Sequence, residues 1–282
     1  MKTFKRLLKR KIALFSFAVI VLIVASAIFA PLLAPYDPSK QFEQGLTLQG
    51  SPIAPNSEFV LGTDLLGRDL LSRLMYGART SLFIGLLANG FAVLLGTFIG
   101  VVAGFVRGRT GSAIMRFTDL MMAFPALLLA ITLAAIFAPN LFIVALVIAM
   151  VNWVQIARVI YTQTISISEK EFIEASRSLG ATNSRILRRH VLPHLAPFVM
   201  VWATLGISTT VLLEATLSFL GIGVRPPTPS WGNIIFENQT YFSTAPWLVF
   251  IPGAAIILLA LAFNFLGDAL RDELDPTQRG RQ

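Results

Sequence analysis

The distribution of apolar residues along the chain predicts six membrane-spanning helices. Polar segments separate six apolar stretches of roughly 20 residues or more, each long enough for a helix to cross a hydrocarbon core of about 30 Å. These stretches are residues 12–34, 82–105, 114–137, 141–161, 195–222 and 245–266. The break Ala138-Pro139-Asn140 separates the third stretch from the fourth. The pattern therefore predicts an all-α integral membrane protein.

The first stretch admits a second interpretation, a cleaved signal peptide. Basic residues precede it, and Ala25-Ser26-Ala27 resembles a cleavage site. The apolar core of a signal peptide usually has about 7 to 15 residues. Because this stretch is longer, we expect a retained membrane anchor.

Composition supports a membrane protein and excludes several kinds of chemistry. Hydrophobic residues make up 55% of the 282 residues and charged residues only 13%, and the mean hydropathy is +0.72. Average soluble domains contain about 25% charged residues. The sequence has no cysteine, so disulfides and thiol chemistry are excluded.

The positions of the cations predict the orientation, because short basic loops remain cytoplasmic. If both termini are cytoplasmic, 18 of the 23 Lys and Arg residues lie on that side. The five on the outer side are Lys40, Arg68, Arg73, Arg79 and Arg225. The net charge of +8 is then a signal of topology. We expect a lipid bilayer, and no nucleic acid, as the partner of this charge.

The long loop between the fourth and fifth stretches has the features of an ordered helix. Ser168 and Glu171 have the spacing of a capping box, and Gly180 suits the left-handed residue that ends a helix. A second short helix is predicted after Thr182 or Asn183, ending at Pro193. The residues expected on one face of the first helix are Phe172, Ile173, Ser176 and Leu179.

Two interpretations of this helix pair are open, adhesion to the bilayer surface and docking to a protein. The first helix contains several acidic residues, which oppose binding to an anionic leaflet. Docking to a protein is therefore the favoured interpretation.

The same loop resembles the signature loop of a known family. Glu174-Ala175-Ser176, then Gly180, then Leu192-Pro193, resembles the cytoplasmic loop of permease subunits of bacterial binding-protein-dependent ABC importers. Ser176 stands where alanine is usual and His190 where an aliphatic residue is usual. The resemblance implies a type I importer permease bundle with a coupling helix that docks to an ATPase subunit. The coupling residues it implies are Glu171, Phe172, Ile173, Glu174, Ala175, Ser176, Leu179 and Gly180.

Two outer segments narrow the resemblance to one branch of that family. Residues 61–79 and 225–232 resemble the dipeptide/oligopeptide/nickel branch, closest to its C-type permease. Two roles are open for the polar residues of these segments, bracing a self-folded loop by charge-assisted hydrogen bonds and contacting a substrate-binding protein. The residues concerned are Asp64, Arg68, Asp69, Arg73 and Trp231.

The resemblance and the topology together divide the chain into segments. These are a basic cytoplasmic N-terminus (1–11), the first transmembrane helix (12–34), a periplasmic loop (35–81), a five-helix permease core (82–267) and a cytoplasmic C-terminus (268–282). The core contains the coupling loop (162–194) and a periplasmic loop (223–244). The first helix is expected at the rim, against a companion permease.

Two further patterns lie within the membrane stretches. Small residues at every fourth position from Ala88 to Gly104 predict close approach of another helix. A polar stripe on the fifth stretch contains Thr210, Glu214 and Ser218. A carboxyl group in lipid is costly, so Glu214 should face the interior, either lining a translocation path or serving as a structural hydrogen-bonding group.

Other polar residues in the membrane stretches are weaker candidates. Asn152 and Gln155 on the fourth stretch are additional candidates for the translocation path. Asp119 is expected to pair with Arg116, three residues earlier in the chain.

The sequence offers no site for catalysis or for a cofactor. It contains no Gly-x-x-x-x-Gly-Lys-Ser/Thr phosphate loop. His190 and His194 have a possible metal-ligand spacing, but Pro193 lies between them and no further ligand joins them, so no metal is expected. A membrane enzyme would need a catalytic cluster that is not visible, and a passive channel would not explain the elaborate coupling loop.

The function implied by the resemblance is ATP-driven import across the bacterial inner membrane. ATP and Mg would be bound by two ATPase subunits, and a homologous second permease would complete the pathway. A substrate-binding protein would deliver a di- or oligopeptide, with nickel, glutathione or another small solute as alternatives.

Overall fold

A computed structural model describes residues 10–137 and 140–274, and the regular structure in these ranges is helical. The basic residues before Arg10, the Pro139 break and the cations after Leu274 lie outside the described residues. We number the α-helices in chain order. They are α1 Lys11–Ile28, α2 Ala30–Leu33, α3 Leu70–Val106, α4 Gly108–Ala123, α5 Ala126–Ile136, α6 Leu141–Ser168, α7 Glu171–Ser178, α8 Asn183–Ile186, α9 Leu192–Phe219, α10 Trp231–Asn238 and α11 Trp247–Leu274. A π-helical turn, Leu187–Val191, joins α8 to α9.

Five helical segments are long and apolar enough to cross a membrane, and α4 with α5 would make a sixth span. The axes of α4 and α5 differ by 89°, so the third span predicted over residues 114–137 is not one continuous helix. The break lies at Phe124, which is extended, and Pro125, which has a ψ of 121° and is not helical. Proline lacks an amide hydrogen and disfavours helical geometry in the residue before it, which explains why the helix stops there.

Several helices extend beyond their apolar stretches. Helix α3 begins at Leu70 rather than near residue 82, with Asp69 as its N-cap accepting a hydrogen bond from the Ser72 amide at 2.7 Å. Helix α6 continues to Ser168 rather than ending near Tyr161. Hydropathy missed these turns because they contain polar residues, which pack against other parts of the chain or lie at the helix end.

The small residues of α3 pack against α6. A Cβ atom built on Gly96 would lie 2.6 Å from the carbonyl oxygen of Trp153, and one on Gly100 would lie 2.5 Å from that of Ala157. The predicted close approach of a helix is therefore confirmed, and the helix that approaches belongs to this chain. This close contact between α3 and α6 needs no companion subunit.

We expect Gly100→Ala to destabilise the protein by about 1–3 kcal/mol, because the added methyl group would force α3 and α6 apart. Gly90→Ala is the matched control: Gly90 is on the same helix, and its Cβ would have no neighbour within 4 Å. Removing a glycine from an open helical position should stabilise by about 0.5–1 kcal/mol. Thermal unfolding of the two purified variants in detergent measures the difference, and equal midpoints would contradict the packing.

Helix α1 packs along α11 of the same chain. Ala13 is buried against Ala269, and Arg10 pairs with Asp272 at 2.6 Å near the ends of the two helices. Another face of α1 exposes Leu14 and Leu22. The described contacts of the first helix are therefore with other helices of this chain. Its exposed face is available to lipid or to a companion subunit.

Candidate coupling surface and buried polar clusters

The bundle has two ends, which we name after the short helices that they carry. The α10 end carries the loop of residues 35–69, the start of α3 and α10. The α7 end carries the end of α3, the end of α6 and α7. Gly104 of α3 lies against Thr164 of α6 near the α7 end, and Arg73 of α3 bonds Glu237 of α10 at the opposite end.

Helix α7 ends as predicted but begins differently. Gly180 has a φ of +79°, the Ala181 amide donates to the carbonyl of Ser176, and the Gly180 amide donates to that of Arg177. These bonds form a Schellman motif. The predicted capping box is wrong, because Ser168 is the last residue of α6 and the N-cap of α7 is Lys170 without a side-chain cap. The capping box failed because α6 extends up to this position.

The apolar face predicted for α7 divides between the core and the surface. Ile173 is fully buried and joins a cluster with Ile167 of α6 and Leu195 of α9. Phe172 is 38% exposed and stacks on His194, with ring centroids 5.3 Å apart and planes at 24°. The helix is therefore attached to the bundle through these two side chains.

The other residues of α7 and the exposed residues that follow it, up to Arg189, form a surface that we call the coupling surface. Leu179 is 88% exposed although it is aliphatic. The Ser176 hydroxyl donates to the Phe172 carbonyl at 2.7 Å, so it is used within the helix. The other exposed residues of the coupling surface are Glu171, Glu174, Ala175, Arg177, Arg185, Arg188 and Arg189.

Sequence reasoning considered the two histidines as metal ligands and missed their packing role. His190 lies 6.0 Å from Phe172 between ring centroids. Nδ1 of His194 lies 2.6 Å from the carbonyl oxygen of His190. When Nδ1 carries the ring proton, it donates a hydrogen bond to that oxygen. A helical i,i+4 spacing was the available signal, and it indicated a shared face without identifying the aromatic partner.

Glu214 is the centre of a buried hydrogen-bond cluster that joins α3, α9 and the start of α10. Its carboxylate oxygens accept from Ser81 at 2.9 Å and from Ser218 at 2.8 Å. The Ser81 oxygen also accepts from the amide of Trp231 at 3.3 Å. Thr210, one turn away, donates to the carbonyl of Gly85 at 3.0 Å. In this conformation the geometry is that of a structural hydrogen-bonding group.

The other candidates for a translocation path lie apart from Glu214. Asn152 is half-buried on α6, and Gln155 is exposed on the same helix. Asp119 pairs with Arg158 of α6 at 2.8 Å, so the predicted pairing with Arg116 is wrong. Sequence spacing identifies partners within one helix, whereas this partner comes from the neighbouring helix.

Four charged residues form a buried ion-pair cluster at the α10 end. Arg68 bonds Asp64 at 2.6 Å and Glu237 at 2.9 Å. Arg73 bonds Glu237 at 2.6 Å and lies 3.2 Å from Asp64. The side chains of Asp64 and of both arginines are nearly inaccessible, and that of Glu237 is 12% exposed.

The geometry of this cluster is that of a self-folded loop. Of the predicted residues, Arg68 and Arg73 both pair with Asp64. Trp231 is buried, and its indole donates a hydrogen bond to the Leu74 carbonyl at 3.0 Å. Asp69 is likewise buried as the cap of α3. Glu237 was missed because its sequence distance of more than 160 residues leaves no local signal.

Comparison with known proteins places the chain in a family. The model for the inner membrane component of binding-protein-dependent transport systems matches residues 96–280. The model for the N-terminal transmembrane domain of oligopeptide transport permease C matches residues 2–50.

Curated relatives match over nearly the whole chain. A dipeptide transport system permease protein, DppC, of Alkalihalophilus pseudofirmus is 40% identical, covering 99% of this chain and 90% of the relative. The di/tripeptide permease DppC of Pseudomonas aeruginosa is 44% identical, with coverage of 91% and 85%. The glutathione transport system permease GsiD of Pectobacterium atrosepticum is 36% identical, with coverage of 96% and 89%.

A solved structure shares the fold. The inward-facing MetNI methionine ABC transporter contains a chain that aligns with a TM-score of 0.61 at 20% identity, covering 72% of this chain and 97% of that one. The helical bundle and the apolar spans agree with this likeness. The chain is therefore a multi-pass membrane protein that belongs to the permease subunits of binding-protein-dependent ABC transport systems, in the branch of the peptide permeases DppC and OppC.

Proposed function

We propose that this chain is one of two homologous permease subunits of an ATP-driven importer in the bacterial inner membrane, and that its cargo is a di- or oligopeptide. A substrate-binding protein delivers the peptide at the α10 end, which faces outwards. Both chain termini and the α7 end face the cytoplasm. The basic residues exposed near α7 support this orientation, because cations favour the cytoplasmic side.

The observation that carries the proposal is the coupling surface. Leu179 is exposed at the C-cap of a short helix at one end of a permease bundle, and Glu174 and Arg177 of that helix are exposed too. An isolated aliphatic side chain held out by an ordered helix suits insertion into an apolar pocket of a partner. The sequence itself lacks a phosphate loop, so ATP and Mg are bound by two ATPase subunits that supply this partner surface.

The packing of α7 provides a route for motion from the ATPase into the membrane. Ile173 contacts the core where α6 and α9 meet, and Phe172 stacks on His194 in the first turn of α9. Close-packed side chains transmit displacement because they cannot be compressed. Movement of α7 therefore moves the adjoining ends of α6 and α9, which is the mechanical step assigned to this subunit.

Uptake by cells that lack other peptide importers tests the cargo. We expect cells expressing this chain with its companion subunits to accumulate a radiolabelled dipeptide at least about tenfold above cells without it. Excess unlabelled peptide should compete, whereas nickel should not. Glutathione is included in the panel because one relative is a glutathione permease.

Two results would contradict the proposal. Uptake of nickel without uptake of peptide would refute the cargo. Purification of the chain under mild detergent conditions without any ATPase subunit, from cells that express the complete set, would refute the coupling assignment.

A further inference from the structure

An apolar groove with a volume of about 460 Å³ lies between α3 and α4. Its sides are formed by Phe98 and Val102 of α3 and by Ala113 and Phe117 of α4, and its floor by Trp153 of α6. All the residues that line the groove are aliphatic or aromatic. Phe98 is 66% exposed and Phe117 is 55% exposed, whereas Trp153 is buried. The groove therefore opens on the lateral surface of the bundle, between segments that cross the membrane.

The charged side of α4 and α6 points away from this groove. Asp119 of α4 pairs with Arg158 of α6 at 2.8 Å. At 3.6 residues per turn, Asp119 lies about 160° around α4 from Phe117, and Arg158 lies about 140° around α6 from Trp153. Charged side chains within a membrane face a bundle interior, a cavity or a partner, because hydrocarbon offers them no hydrogen bonds. The groove is thus on the opposite side, the one that suits contact with lipid chains.

Two exposed arginines of α4 adjoin the groove near the α7 end. Arg109 lies one helical turn before Ala113, and Arg116 is about 20° from Arg109 around the helix axis. Arg107 pairs with Glu169, but neither Arg109 nor Arg116 forms an ion pair within the described residues. Both side chains are long enough to extend their guanidinium groups along an apolar surface towards the headgroup level of a bilayer. Two uncompensated positive charges therefore lie beside an apolar groove.

We propose that the groove binds an acyl chain of an anionic phospholipid, and that Arg109 and Arg116 bind its phosphate headgroup. Guanidinium groups form charge-assisted hydrogen bonds to phosphate, and basic pockets between transmembrane helices bind anionic headgroups. A water-soluble phosphate would use the arginines and leave the groove empty, whereas a phospholipid uses both. The site depends neither on the proposed cargo nor on the proposed orientation, because the groove and the arginines follow from packing alone.

Native mass spectrometry of the complete transporter tests the site. The complex is purified in a detergent that removes loosely held lipid and is then titrated with dioleoylphosphatidylglycerol. We expect the double variant Arg109→Gln, Arg116→Gln to raise the dissociation constant of the most tightly bound lipid at least about tenfold, because two positive charges are lost. Ala113→Phe should abolish this binding event, because the added ring fills the groove.

Two variants and a second lipid serve as controls. Arg79→Gln removes an exposed arginine from α3 at the α10 end, and Ala254→Phe adds the same ring at an exposed position of α11. Both should leave the dissociation constant unchanged. Dioleoylphosphatidylcholine, whose headgroup has no net charge, should bind the unmodified transporter at least about tenfold more weakly than dioleoylphosphatidylglycerol.

Three results would overturn the lipid site. One is equal affinity of the double arginine variant and the unmodified transporter for dioleoylphosphatidylglycerol. A second is displacement of the lipid by glycerol 3-phosphate at equal concentration, which would show that the arginines bind a free phosphate. A third is loss of the companion permease from the Ala113→Phe complex without loss of lipid, which would show that protein covers the groove.

Dipeptide uptake by the same transporter separates this inference from the proposed function. A transporter that binds the lipid as expected but imports no dipeptide refutes the cargo and leaves the lipid site standing. A transporter that imports dipeptide but binds the two lipids with equal affinity refutes the lipid site alone.

Discussion

Leu179→Asp is expected to weaken binding of the ATPase subunits by about 2 kcal/mol or more, roughly 30-fold in dissociation constant, and to reduce uptake accordingly. The leucine is 88% exposed in this chain, so its replacement removes no contact within the permease. In the assembled transporter its side chain would be buried in the partner, and an unpaired carboxylate there would be costly. Binding of purified ATPase subunits to the detergent-solubilised permease measures the effect.

Leu48→Asp is the matched control for this prediction. Leu48 is also a fully exposed leucine, but it lies at the α10 end, away from the coupling surface. Its replacement should leave the affinity for ATPase subunits unchanged. Leu179→Met should retain binding, because the apolar volume is nearly conserved. Normal ATPase binding by Leu179→Asp would show that the coupling surface lies elsewhere.

Glu237→Ala is expected to lower the free energy of unfolding by about 3–5 kcal/mol, because it leaves two buried arginines with one carboxylate. Both guanidinium groups bond the same oxygen of Glu237, at 2.6 and 2.9 Å. A loss of this size is a large fraction of the roughly 5–15 kcal/mol that stabilises a typical folded protein. A lower thermal midpoint in detergent, with less folded protein recovered from membranes, is the expected measurement.

Glu58→Ala supplies the comparison for this second variant. Glu58 lies in the loop of residues 35–69, which also carries Asp64 and Arg68, and it is exposed. Its carboxylate accepts a hydrogen bond from the Gln44 amide at 3.4 Å. Exposed polar pairs contribute at most about 1 kcal/mol. Equal stability of Glu58→Ala and Glu237→Ala would mean that the buried cluster does not hold the α10 end together.

The sequence predicted what depends on local composition. The apolar stretches identified the spans, the charge pattern and signature loop identified α7, and Gly180 was recognised as its end because a left-handed residue there favours glycine. Where a feature depends on contacts between distant segments, its prediction was wrong or the feature was missed. The third span breaks at Pro125, and α6 extends through Ser168, the residue predicted to begin the capping box. Asp119 pairs with Arg158 on a neighbouring helix. Glu237 could not be found because hydropathy and spacing carry no information on its partners.

The predicted site residues show the same division. Helical periodicity placed Phe172, Ile173 and Leu179 on one face, but their side chains diverge to an aromatic stack, the core and solvent. The angular position of a residue around the helix axis does not specify which neighbouring residues its side chain contacts. The choice depends on where the π-helical turn and α9 return towards α7, which only the three-dimensional packing determines.

The buried cluster at the α10 end also constrains how this protein can diversify. The two family models match residues 2–50 and 96–280, and Asp64, Arg68 and Arg73 lie between those ranges while their partner Glu237 lies within the second. Recombination between relatives that exchanged only the first third of the gene would separate the arginines from the carboxylate with which they pair. The exchangeable unit is therefore discontinuous in sequence, and comprises the N-terminal loop together with α10.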